Sequence, residues 1–321
     1  RCGFRYPPDL NLSERGVRQI LRLMGPAVIG TAAVQINVFV NTNFASAIID
    51  PATGAVVNGP VSWLSYAFRF VQFPIGVFGV AIATASLPSL SRSTANPDNV
   101  EFRQTLAHSL ALVFLLCIPS AIGLAVLGRP IVALIFEHGK FTAFDTVQTA
   151  NALAAYSLGL AGYAAVKVLS PAFYALNDAR TPMLVSVGSI AVNYAMNRLL
   201  VETFGHVGLA FSTSAVALVN FALLALLMRR RIHRLEGRYL GKIVLRISGA
   251  ALVMAAVSWG ACELAATLPL QGFALHSVEV VAGLGSAALV FYFACRWLEV
   301  RELDEAIHAI AGRFARSRAA R

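Results

Sequence analysis

The chain is divided into eight long apolar runs, each about as long as a helix that crosses the hydrocarbon core of a bilayer. Its 321 residues are 57% hydrophobic and only 13% charged, whereas soluble domains carry about 25% charged residues. The sequence therefore predicts an all-α, polytopic membrane helical bundle with about eight transmembrane helices. The runs cover residues 23–49, 62–90, 106–128, 147–176, 183–203, 207–228, 247–268 and 278–298.

Positive charges are concentrated in every second connection between these runs and at both ends of the chain. These segments hold 21 of the 26 Lys and Arg residues. By the positive-inside rule they face the cytoplasm, so both ends of the chain are predicted to be cytoplasmic. The net charge of +10 is then a topology signal, and nucleic acid is not an expected partner. The segments are 1–22, 91–105, 177–182, 229–246 and 296–321.

The same pattern divides the chain into five units. A cytoplasmic loop ends in the start of a helix, with Ser13 as its expected N-cap. A six-helix lobe, a basic cytoplasmic connector, a final transmembrane pair and a basic cytoplasmic tail follow. We also expect a short interfacial helix at 129–141, where apolar residues recur at helical spacing between charged ends. The five units are 1–22, 23–228, 229–246, 247–298 and 299–321.

One permanent cation, Arg69, lies about two turns into the second apolar run. An arginine within a span costs about 2.5–3.5 kcal/mol on insertion scales, so we expect its guanidinium to face a water-filled cavity. The alternative is that it snorkels to nearby head groups, since Trp63 and Tyr66 are typical of the membrane interface. Gln72 lies three residues later, on the same helical face. Because a guanidinium fork suits phosphate and carboxylate oxygens, this pair predicts an anionic head group with a lipid or sugar attached.

Asn37 and Asn41 are one turn apart in the first run. They predict a polar stripe that faces either a cavity or neighbouring helices, with interhelical hydrogen bonding as the alternative to ligand binding. Together with Arg69 and Gln72 they are the candidate substrate-binding residues.

A second polar set lies in the fifth and sixth runs, where Asn193 and Asn197 are one turn apart and Thr213 follows. Amide and hydroxyl oxygens can ligate a hard cation such as sodium, although good sites normally include a carboxylate. These three residues are the candidate cation site.

The sequence lacks the side-chain groupings that catalysis requires. All 16 acids lie in loops or near the ends of runs, so no buried carboxylate pair is available for acid–base chemistry. The histidines and cysteines show no metal-ligand spacing, and no phosphate-binding glycine loop is present. We expect neither an enzyme nor a bound cofactor or metal, leaving sodium or the membrane potential as candidate energy sources.

Three stretches together resemble the MurJ (MviN) family of lipid II flippases, within the multidrug/oligosaccharidyl-lipid/polysaccharide exporter superfamily. They are GVRQILRLMGPAVIGTAAVQINVFVNT, SYAFRFVQFPIGVFGVAIATASLPSLSR and KVLSPAFYALNDARTPM. Members have fourteen transmembrane helices in two six-helix lobes plus a final pair, and this chain resembles the second lobe and that pair. The resemblance therefore implies a missing first lobe, supplied in cis or in trans, with the chain being a fragment, a split-gene product or a truncated sequence.

The resemblance also implies a function and roles for several residues. The function is movement of the undecaprenyl-linked peptidoglycan precursor, lipid II, from the cytoplasmic to the periplasmic leaflet of the bacterial inner membrane by alternating access. Arg69 matches a family arginine that faces the central cavity, and Gln72 stands where relatives often have glutamate. Some relatives are thought to bind sodium in the second lobe, where Asn193, Asn197 and Thr213 would fall. An asparagine at 197, where an acid is expected, weakens that site.

Three other functions remain open from the sequence. The chain could belong to an exporter of another lipid-linked oligosaccharide, which differs from a lipid II flippase only in its substrate. It could also be a non-transporting, half-length membrane scaffold for cell-wall enzymes, in which Arg69 is dispensable and the basic tail is needed. A polyprenyl-phosphate enzyme is disfavoured by the absence of buried acids.

Overall fold

The computed structural model describes residues 15–49, 54–94, 100–233, 235–269, 272–300 and 302–303, and side chains from Met24 onward. Within these ranges the chain is helical apart from its turns and one isolated β-bridge between Ile49 and Val56. Ser13, Cys2 and most of the basic tail lie outside the described residues. The helices are α1 Arg15–Ser46, α2 Pro60–Pro74, a π-helix Ile75–Val80, α3 Ala81–Ser93, α4 Val100–Phe136, α5 Ala143–Ser157, α6 Leu160–Ala175, α7 Arg180–Arg231, α8 Gly237–Ala266 and α9 Gly272–Trp297.

Six stretches of the described chain are long and apolar enough to cross a membrane, and the pair α5–α6, bent by 45°, makes a seventh. The stretch α2–π–α3 counts as one span of 34 residues. A further span is contained in α7, because a straight helix of 52 residues would be about 78 Å long. The hydrocarbon core is only about 30 Å thick.

The chain of α7 reverses direction at Gly205, whose backbone angles (φ 56°, ψ −134°) are not helical. A Cβ added to Gly208 would lie 2.5 Å from the carbonyl oxygen of Leu200. In a straight helix these two residues, eight positions apart, would be separated by about 12 Å. The hydroxyl of Ser212 lies 3.5 Å from the carbonyl oxygen of Asn193. The helix is therefore a hairpin with two limbs, and the predicted bundle of about eight spans is confirmed.

The expected interfacial helix at 129–141 is wrong. The described chain continues α4 through Pro130 to Phe136 and then turns at Gly139, which has φ 66°. Leu127, Val132 and Ala133 are buried, so packing against neighbouring helices stabilises a continuous helix beyond the end of the apolar run.

The predicted basic connector at 229–246 is mostly helical. In the described residues α7 extends to Arg231 and α8 begins at Gly237, so both helices continue past the apolar runs. The predicted division into five units stays a prediction.

The buried core lies around α4, against which α5, α6, α8 and α9 pack. Its side chains Leu106, Leu110 and Leu115 are fully buried. By contrast α1 packs mainly against α7 and leaves much of its surface uncovered. The final pair α8–α9 is thus attached through α4, on the far side of the bundle from α1. Exposed apolar side chains on α1 include Val28, Ile29, Val34, Ile36 and Phe39.

Gly208→Ala should destabilise the protein, because the added methyl group must displace the backbone of the opposite limb. Overpacking of this kind typically costs about 1–3 kcal/mol, and the melting temperature in detergent should fall by a few degrees. Gly188→Ala is the matched control, since a Cβ there meets nothing within 4 Å and alanine favours the helix. Equal shifts for the two variants would contradict the hairpin.

Candidate functional site

A cavity of about 350 Å³ lies between α1, α2, the α5–α6 pair and the two limbs of α7. Cavities of roughly 300–1,000 Å³ are the usual size for small-molecule sites. Five of the seven residues singled out from the sequence line it, namely Asn37, Asn41, Gln72, Asn193 and Thr213. Asn197 lies just behind this lining and Arg69 just outside it.

Arg69 is exposed, on the stripe of α2 that also carries Ser65 and Gln72. Both of these neighbours line the cavity, and each is about one helical turn from Arg69. The guanidinium carbon lies 5.8 Å from the centre of the Tyr66 ring, within the range of a cation–π contact. The charge is therefore exposed on the helix that lines the cavity, about one turn from two of the lining residues and not itself among them.

Asn197 joins α1 to the first limb of α7. Its amide nitrogen donates to Asn41 Oδ1 at 2.7 Å and to Asn193 Oδ1 at 3.1 Å. Asn41 in turn donates to Thr213 Oγ1 at 2.8 Å, which brings in the second limb. We call Asn41, Asn193, Asn197 and Thr213 the amide cluster. The three residues proposed for a cation site are thus brought together, and Asn41, which the sequence grouped with the substrate residues, belongs with them.

The amide cluster is a poor fit for sodium as it stands. A hard cation needs several free oxygen ligands, but the carboxamide oxygens of Asn41 and Asn193 already accept hydrogen bonds from Asn197. Within the described chain, the buried Oδ1 of Asn197 is the one carboxamide oxygen of the cluster that has no hydrogen-bond partner. A cation there would have to replace bonds that now tie the helices together. Cation binding by Asn193, Asn197 and Thr213 stays a prediction.

Asn37 lies one turn before the cluster and donates from Nδ2 to Ser189 Oγ at 3.0 Å. Ser189 uses its single hydroxyl hydrogen on the carbonyl oxygen of Ser186, at 2.6 Å, so it can only accept from Asn37. This fixes the orientation of the Asn37 carboxamide. Its oxygen is buried and has no partner among the described residues.

The structure adds residues that sequence reasoning missed. Ser189 was detectable, because Ser186, Ser189, Asn193 and Asn197 follow one another at steps of three or four and share a helical face. Tyr156 and Tyr163 also line the cavity, and the Tyr163 hydroxyl donates to the carbonyl oxygen of Thr213 at 3.3 Å. They carried no signal in the sequence, since their convergence depends on the bend between α5 and α6.

Comparison with known families agrees with this architecture. A family model described as lipid II flippase MurJ matches residues 1–278. A protein named probable lipid II flippase MurJ from Buchnera aphidicola is 31% identical over 301 residues, which cover 92% of this chain and 57% of that protein. The lipid II flippase MurJ of Burkholderia cenocepacia is 34% identical over 292 residues, 89% of this chain and 54% of that protein. The chain thus spans about half the length of the curated relatives it matches.

Solved structures show the same fold. Lipid II flippase MurJ in an inward closed conformation matches with a TM-score of 0.66 and 25% identity, over 92% of this chain and 57% of that chain. An outward-facing multidrug resistance MATE family transporter of the MOP superfamily matches with a TM-score of 0.55 and 18% identity, over 90% and 67%. The second likeness is one of fold alone.

Asn41→Ala should loosen α1 from the α7 hairpin, because it removes two of the interhelical bonds of the amide cluster. Interhelical hydrogen bonds in membranes contribute about 0.6 kcal/mol each, so the loss of two should accelerate amide hydrogen exchange along α1 roughly eightfold. Asn43→Ala is the control, since Asn43 is exposed and bonds only within its own helix, to Phe39. Unchanged exchange in Asn41→Ala would show that the cluster does not hold α1.

Proposed function

Because this chain belongs to the MurJ family of lipid II flippases, we propose that it forms the second lobe and final helix pair of a transporter for lipid II. The transporter moves the undecaprenyl-linked peptidoglycan precursor from the cytoplasmic to the periplasmic leaflet of the bacterial inner membrane and so supplies cell-wall synthesis. The observation that carries the proposal is an exposed arginine within an otherwise apolar span, on the helix that lines a polar cavity. No catalytic residue is assigned.

Arg69 holds the anionic part of the head group in this mechanism. A guanidinium offers several N–H donors in a plane and keeps its charge at any physiological pH, so it suits a diphosphate. Gln72, Asn37 and Asn41 line the cavity and supply uncharged donors and acceptors for the rest of the head group. The polyprenyl tail remains in the surrounding lipid, since burying it in a polar cavity gains nothing.

Alternating access requires two halves that move against each other around a site between them. The uncovered surface of α1 and the exposed stripe of α2 lie on one side of the cavity, where a first lobe would close it. We propose that this lobe is supplied in cis or in trans, consistent with the greater length of the relatives.

The basic connections support a cytoplasmic location for both ends of the chain. The turn between α4 and α5 then lies on the periplasmic side. A membrane-impermeant thiol reagent added outside should label Lys140→Cys, in that turn, and spare Arg238→Cys, at the start of α8, in a chain whose native cysteines are replaced by alanine. Both positions are exposed, so labelling in the opposite sense would overturn the orientation.

Sodium is a second candidate, as the coupling ion. The Oδ1 of Asn197, which is buried and has no partner, favours sodium binding. The missing carboxylate and the hydrogen bonds within the amide cluster disfavour it. Sodium should then raise the melting temperature of the native protein and leave that of Asn197→Leu unchanged. If sodium has no effect on the native protein, the membrane potential remains the candidate energy source.

Arg69→Ala should lower lipid II translocation at least tenfold, because a charge-assisted hydrogen bond contributes about 1.5–3 kcal/mol. Arg69→Lys should retain part of the activity, since it keeps the charge and loses the fork. The measurement is the fraction of lipid II that an externally added lipid II-cleaving enzyme can reach in spheroplasts. Arg198→Ala is the matched control, an exposed arginine paired with Glu202 on the first limb of α7.

A wild-type rate of translocation in Arg69→Ala would contradict the role assigned to the guanidinium. If removal of the tail from 299 onward stopped cell-wall synthesis while Arg69→Ala did not, the scaffold function would replace transport. If depletion of the protein left lipid II accessible and blocked another lipid-linked oligosaccharide, the substrate would be that lipid.

A further inference from the structure

We propose that the cavity between α1, α2, α6 and the α7 hairpin is a subsite for an uncharged, hydroxyl-rich ring, the sugar part of the transported head group. The proposal rests on the proposed function and divides the head group into two parts. The anionic diphosphate stays outside the cavity with Arg69, and the neutral sugar enters it.

The cavity lining contains no side chain that is charged at neutral pH. Its 21 residues include six carboxamides and seven hydroxyls, and none is Lys, Arg, His, Asp or Glu. A diphosphate or a peptide carboxylate moved into such a space would lose its hydration without gaining a counter-charge, which is costly. A neutral sugar loses only hydrogen bonds to water, and carboxamides and hydroxyls can replace these.

Because the Asn37 oxygen without a partner is an acceptor, a ligand that bonds to it must supply a hydrogen-bond donor. This Oδ1 is a buried acceptor, in the orientation set by the Ser189–Ser186 bond. Leaving such an acceptor unpaired costs about 1–3 kcal/mol. Because this oxygen is buried, a ligand reaches it only when the Asn37 side chain turns toward the cavity. A sugar hydroxyl or an acetamido N–H can then donate to it, whereas an ionised phosphate or carboxylate has only acceptors.

An aromatic wall gives the cavity an apolar side. The Phe68 ring packs against Tyr156 at 5.2 Å and 59° and against Tyr163 at 6.2 Å and 72°, and all three line the cavity. Tyr156 is buried and Tyr163 is hydrogen-bonded to Thr213, so the wall is held in place. A pyranose ring has a C–H face that fits such a wall and hydroxyl edges that fit the carboxamides opposite.

The position of Arg69 agrees with the covalent structure of the substrate. Ser65, Phe68 and Gln72 on α2 line the cavity, and Arg69 lies about one helical turn from Ser65 and from Gln72. In a polyprenyl-diphosphate sugar the diphosphate is attached directly to the first ring. A diphosphate on the guanidinium would therefore hold that ring close to the cavity. The volume of about 350 Å³ leaves room for a sugar ring.

The experiment compares equilibrium binding of lipid II and of undecaprenyl diphosphate, which lacks the sugars, to the detergent-purified native protein. We expect lipid II to bind at least tenfold more tightly. Asn37→Leu removes the partnerless acceptor and Val38→Trp fills the cavity from α1, and each should weaken lipid II binding about tenfold. Each should leave the affinity for undecaprenyl diphosphate within twofold.

Matched controls come from the same helix. Asn43→Leu and Val28→Trp change exposed residues outside the cavity and should leave both affinities unchanged. Melting temperatures identify any variant that fails to fold. If Asn37→Leu does not fold, Val38→Trp, which changes an exposed side chain, still decides the question.

The outcomes distinguish failure of the sugar subsite from failure of the proposed function. Equal affinities for the two lipids, or equal losses for both in the cavity variants, would overturn the sugar subsite and leave the flippase function in place. A preference for lipid II that survives both cavity variants would place the sugars elsewhere and also overturn it. Absence of lipid II binding to the native protein would overturn the proposed function itself.

Discussion

Polar groups inside a membrane must find partners within the protein, and in this chain the amide cluster meets that requirement at the junction of three helical segments. Without water, an unpaired amide or hydroxyl is costly in hydrocarbon. Asn197 is fully buried and donates to both α1 and its own limb. The position of α1, which packs mainly on α7, depends on these bonds together with the close packing of small residues such as Ala33 and Ala45. The cavity exists because α1 is held there.

The number and type of the helices could be predicted from the sequence, since bilayer thickness fixes the length of an apolar run. Helix ends were less predictable, because a helix need not stop where the apolar run stops. Pro130 sits inside α4, where buried Leu127 and Val132 favour continuation. In the sequence, the reversal at Gly205 appears only as a short gap between two apolar runs. The close approach of the two limbs of α7 depends on Gly208.

The candidate site was partly predictable, for a similar reason. Helical spacing shows that Asn193 and Asn197 share a face, but the rotation of α1 against that face depends on tertiary packing. Asn41 was therefore grouped with the substrate residues, whereas the structure bonds it to Asn197 and Thr213. The aromatic wall was beyond prediction, since Phe68 reaches Tyr156 and Tyr163 only through the bend between α5 and α6.

The π-helix between α2 and α3 makes the second span sensitive to chain length. One residue inserted into an α-helix turns everything after it by about 100°, and a π segment accommodates such an insertion without ending the helix. One face of α2, with Ser65, Phe68 and Gln72, lines the cavity, while Ala83 and Leu90 on α3 are buried against the core. Loss of a single codon within 75–80 would preserve every side chain of the site and still rotate one half of the span against the other. In this span the count of residues is therefore as much a part of the site as their identity.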